Sequence, residues 1–132
     1  MTIDNAGEVF TAEVLDKLFP AHRADQFFEA MYGEPSEGAY DIQLGFQGIR
    51  NDILEFQFNL RQRPGKCLVC NLTYGLPQVF SRHPIINIEG LVKGIESMIN
   101  HTVQCNRWEL GQTKEISSDL HVIPLTLYLA DV

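Results

Sequence analysis

Near residue 40 the hydrophobic pattern of this chain changes period, and that change limits the fold more than any other feature. Tyr40, Ile42, Leu44 and Phe46 alternate with Asp41, Gln43, Gly45 and Gln47. Beyond a turn at Gly48 to Asp52, Leu54, Phe56, Phe58 and Leu60 alternate with Glu55, Gln57, Asn59 and Arg61. A period of two over two adjacent runs calls for an antiparallel hairpin with one buried and one wet face. Pro64 and Gly65 mark a second turn, and Lys66 to Tyr74 alternates again, which predicts a three-stranded meander.

Upstream the period is helical. Thr11 caps a run with Val14, Leu15, Leu18 and Phe19 at helical spacing, Pro20 interrupts it, and Ala24, Phe27, Phe28 and Met31 share a second face that stops at Gly33. Gly75, Pro77, Ser81 and Pro84 read as an irregular connection, with Leu76, Val79 and Phe80 packing it down. Asn87 then caps a helix to Asn100, because Ile88, Leu91, Val92, Ile95, Met98 and Ile99 keep the 3.6 period. Two further strands are expected, one containing Trp108 and one carrying Ile123, Leu125, Leu127 and Leu129; Gly111 to Asp119 reads as turns. Pro124 cannot donate to a ladder, which places the last strand at an edge or a bulge. The expected fold is α+β: an antiparallel sheet of about five strands, in the order α(α)-βββ-α-ββ, with helices on one face.

At 132 residues the chain is expected to form a single domain over 1–132, with 1–8 a flexible polar leader. Ten Lys and Arg against 17 Asp and Glu give a net charge of −7, which argues against a nucleic-acid partner. Arg61, Arg63 and Lys66 form a basic cluster at a turn and read as a solvated rim. No apolar run is long enough to span a membrane, and Met1 to Glu8 lacks the pattern of a signal peptide, so a cytoplasmic location is expected. Three cysteines in a reducing compartment point to free thiols or a metal site.

Cys67 and Cys70, with His101 and Cys105 downstream, supply thiolate and imidazole donors suited to a structural Cys₃His zinc site. The strand pattern opposes it, since residues three apart on a regular strand point to opposite faces. Without zinc, Cys70 and Cys105 are small core residues and Cys67 lies on the other face, and no cofactor is expected. A strand running through Cys67 and Cys70 also lacks the helix start that a redox dithiol needs. Arg82 and His83 occupy an irregular loop, where a structuring role competes with a small-molecule enzyme site. Gly90, Gly94 and Ser97 form a small-residue stripe on the flank of their helix, open to close approach within the domain or across a dimer.

The order of elements over Ala21 to Leu129, the small size and the acidic charge resemble the type III secretion chaperones. The stretch Arg63-Pro64-Gly65-Lys66-Cys67-Leu68-Val69-Cys70-Asn71-Leu72-Thr73-Tyr74-Gly75-Leu76-Pro77 also looks like part of an uncharacterised bacterial family carrying a homeobox label. The three basic helices of a homeodomain are absent. The chaperone resemblance implies a homodimer that holds a protein or peptide without chemistry. On that reading the helix from Asn87 to Asn100 and the strand with Trp108 are the contact candidates, joined by Arg82, His83, Gly90 and Gly94.

Overall fold

The structure is a computed structural model, described over residues 9–33, 40–50, 52–66, 75–99 and 103–131. Helices α1 (Ala12–Leu18) and α2 (His22–Tyr32) precede the hairpin of β1 (Tyr40–Arg50) and β2 (Ile53–Gln62). Helices α3 (Leu76–Arg82) and α4 (Ile88–Met98) follow, then β3 (Val103–Leu110), β4 (Lys114–Ser117) and β5 (Leu120–Asp131). The five strands form one antiparallel sheet, with the path β1-β2-β5-β3 and β4 beside β5. The α+β class and the five-stranded antiparallel sheet expected from the periodicity are therefore present.

Local chemistry sets the ends of the helices. The Thr11 side chain accepts from the Val14 N–H at 3.3 Å, and Gly33 closes α2 in the left-handed region at φ 88°. Asn87 sits at φ 49°, a region asparagine tolerates, and its Oδ1 accepts from the Gly90 N–H at 3.2 Å. Met31 and Met98, expected on the apolar faces, lie in the last turns of α2 and α4 and are exposed.

The alternating rows of β1 and β2 bury Ile42, Leu44, Leu54, Phe56, Phe58 and Leu60, and β5 adds Ile123, Leu125, Leu127 and Leu129. Phe10 and Phe19, which flank α1, and Phe27, Phe28 and Phe80 of α2 and α3 meet that face, mostly edge to face, at ring separations such as 5.3 Å for Phe19 and Phe58. Burial of these rings is the main source of cohesion on this side, at roughly 25 cal/mol per Å² of apolar surface removed from water.

Four local expectations change. The turn after β1 is shorter than Gly48 to Asp52, because a bulge between Phe46 and Gly48 lets β1 continue until Arg50 pairs with Ile53. The segment Leu76–Arg82 is a helix, not an irregular connection; Pro77 falls in its first turn, where a missing N–H costs nothing, and Leu76 and Phe80 are buried. Lys114–Ser117 is a strand rather than a run of turns, held by pairing with β5.

The fourth is the place of β5. It is not an edge strand: β2 lies on one side of it, β3 and β4 on the other. The Pro124 C=O accepts from the Gly111 N–H at 2.9 Å, so the missing donor faces the break between β3 and β4, where no ladder bond is lost. β2 pairs with β5 from Ile53 to Arg61, so the neighbour assigned to a third meander strand is β5. Most of that expected strand, 67–74, lies outside the described residues.

Candidate functional site

On the far side of β5 from the hairpin, α4 and the outer strand β3 enclose an open groove of about 410 Å³, lined by Glu89, Val92, Lys93, Glu96, Cys105, Asn106, Arg107 and Trp108. A bulge between Cys105 and Arg107 shapes it. Cys105 is opposite Leu129 and Trp108 opposite Leu127, so both project to the helix side of the sheet although they are three residues apart. Trp108 is half-buried against the core. The Glu96 carboxylate accepts the outward Cys105 N–H at 2.7 Å, tying α4 to β3. Burial, and then the negative charge of Glu96, push the Cys105 thiol up from its ordinary pKa.

Across the sheet, on the face opposite the helices, the Arg107 guanidinium lies 4.2 Å from the Tyr128 ring centre and the Tyr128 hydroxyl donates to Glu109. That hydrogen bond is the main cause raising the Tyr128 pKa. Further along the same face Gln57 Nε2 donates to Asn59 Oδ1 at 2.7 Å, and Arg61 Nε to Gln43 Oε1 at 3.2 Å. The polar residues of this face thus bond laterally to one another.

His83, Gly90 and Gly94 make contacts within the chain. His83 ends α3; its Nδ1 accepts from the Ile85 N–H at 3.2 Å and its ring meets Phe27 edge-on at 4.9 Å. Arg82 and His83 border a cavity of about 180 Å³, smaller than the ~300–1,000 Å³ usual for sites that enclose a small molecule. A Cβ on Gly90 would stand 2.3 Å from the capping Asn87 side chain, and one on Gly94 would stand 3.0 Å from Leu18 of α1. The close approach at Gly94 is therefore that of α1 within the domain.

Arg63 is not part of a solvated rim. Only 17% of its side chain is exposed; it pairs with Asp25 at 2.8 Å and Asp41 at 3.0 Å and lies over the Phe28 ring, clamping α2 to the hairpin. Cys67, Cys70 and His101, three of the four residues of the zinc alternative, lie outside the described residues, and Cys105 is in β3. Among the described residues no group of three or more His, Cys, Asp or Glu could hold a metal ion, and no helix is long and apolar enough to cross a membrane.

Sequence reasoning singled out Trp108 and the helix but missed Glu89, Lys93, Glu96 and Arg107. The first three recur at i, i+4 and i+7 on the flank of α4, a pattern visible in the sequence; Arg107 depends on the bulge. No protein-family model, no curated protein and no solved structure matches the chain.

Proposed function

We propose that this chain is a non-catalytic protein-binding domain, chaperone-like in behaviour and homodimeric, acting in the cytoplasm. One observation carries the reading: the only tryptophan of the chain stands half-buried beside an open groove, on a strand whose outer edge has no strand partner among the described residues. An edge strand supplies unpaired backbone groups, an adjacent groove takes side chains, and tryptophan is enriched where proteins meet. Glu89, Glu96 and Lys93 give the groove a rim of both signs, as a protein contact needs.

The groove also places Trp108 as a built-in reporter. Extended peptides with spaced apolar side chains should bind saturably, with a heat of binding and a shift in Trp108 emission at the same midpoint. Absence of binding across a broad peptide set, in a protein that also sediments as a monomer at tens of micromolar, would contradict the reading.

A further inference from the structure

We propose that the α4–β3 side is occupied by a second copy of this chain, through antiparallel pairing of β3 with β3 about a two-fold axis at Trp108. This rests on the reading of that side as the contact surface, and it commits to the partner and the register; a peptide that binds there does so on the dissociated chain, in competition with the second copy.

The direction of the backbone groups comes first. The Gly111 N–H donates to Pro124 and the Leu129 N–H to Asp52, which fixes the phase of the ladder on both sides of β5. In that phase Arg107 and Glu109 turn their backbone groups toward β5, and Trp108 and Leu110 turn theirs outward. The outward N–H of Cys105 is already taken by Glu96, so among the described residues the open stretch runs from Arg107 to Leu110. An axis at Trp108 lets the two Trp108 residues exchange both hydrogen bonds.

Charge then selects the register. Paired residues of an antiparallel ladder share a face, so only registers that set like face against like face are allowed. Centred on Trp108, Arg107 of each copy stands opposite Glu109 of the other, giving two symmetric ion pairs. Moving the axis by one residue either way, a slide of two residues, sets Glu109 against Glu109 or Arg107 against Arg107. Opposite charges directly across a ladder stabilise it and like charges oppose it, so the strand is self-complementary in one register and repelled from the adjacent two.

The groove supplies the remaining contact. Trp108 projects to the helix side, so the incoming copy's indole enters the space of about 410 Å³ beside Val92 and Cys105. Each copy's tryptophan completes the other's groove, as an isologous contact requires.

Sedimentation of the full chain over a range of concentrations tests this, with circular dichroism to confirm that each variant folds. The unaltered protein is expected to be a dimer. Glu109→Arg sets arginine against arginine at both crossings and Arg107→Glu sets glutamate against glutamate; each is expected to raise the dimer Kd about tenfold or more. An equimolar mixture of the two variants restores opposite charges at both crossings and should recover the dimer. A dimer indifferent to both variants, or a mixture that stays monomeric, would overturn the proposal and leave the binding-domain reading standing. A monomer that still binds peptide at Trp108 would do the same, whereas a monomer that binds no peptide would remove both.

Discussion

The two sides of β5 are finished to different degrees. Toward β2 and β1, rings from α1, α2, α3 and the hairpin interlock, Phe58 with Phe19 at 5.3 Å and with Phe80 at 5.5 Å, and Arg63 ties the outer layer to Asp25 and Asp41. Toward β3 the packing is aliphatic, from Leu91, Val92 and Ile95, and it stops short: Trp108 is not fully covered and a groove opens beside it. A closed side holds the domain together, and the open side carrying the only tryptophan is the one proposed to meet another protein.

Substitutions can break this comparison, and the largest effect belongs to the closed side. Phe58→Ala removes a fully buried ring in contact with two others and should cost about 3–5 kcal/mol in denaturant unfolding. Trp108→Ala, despite the larger side chain, should cost less, about 2–3 kcal/mol in the isolated chain, because part of its surface already faces water. Arg63→Ala releases two half-exposed carboxylates and a ring contact, so roughly 2 kcal/mol is expected, smaller in high salt. If the Trp108 change proved as costly as the Phe58 change, the two sides would be equally closed.

Two titrations sharpen the comparison with smaller signals. With burial and Glu96 raising its pKa, Cys105 should react with iodoacetamide at neutral pH more slowly than a free thiol, and Glu96→Gln should speed the reaction. The Tyr128 phenol donates to Glu109, which favours its neutral form, so it should ionise above the ordinary tyrosine range in an ultraviolet titration. Its folded-state pKa is raised. The contribution to stability is therefore full below the unfolded value of about 10 and is lost as pH rises through the higher folded value. Tyr128→Phe should abolish that late step and leave the others in place.

The fold was largely legible where one period ran long enough. The alternation in β1 and β2 and the stripe of α4 each repeat four or more times, and the structure follows them. The caps at Thr11, Gly33 and Asn87 were readable because each residue type satisfies a specific backbone demand. Short or interrupted patterns were not. The seven residues of α3 and the four of β4 are set by what they pack or pair with. Pro124 pointed to an edge or a bulge because sequence shows the missing donor but not which neighbour would have needed it. The groove was half legible: Trp108 stood out, whereas the bulge that brings Cys105 to the same face breaks the alternation by which strands are recognised.

The emission of Trp108 on dilution addresses the central claim most directly, since this chain has no other indole. If the α4–β3 side is the contact surface, the emission should move to longer wavelength as the complex dissociates, along the same curve as the fall in sedimenting mass, and Glu109→Arg should start at the dissociated value. Association that leaves the emission of Trp108 unchanged would place the contact elsewhere on the molecule.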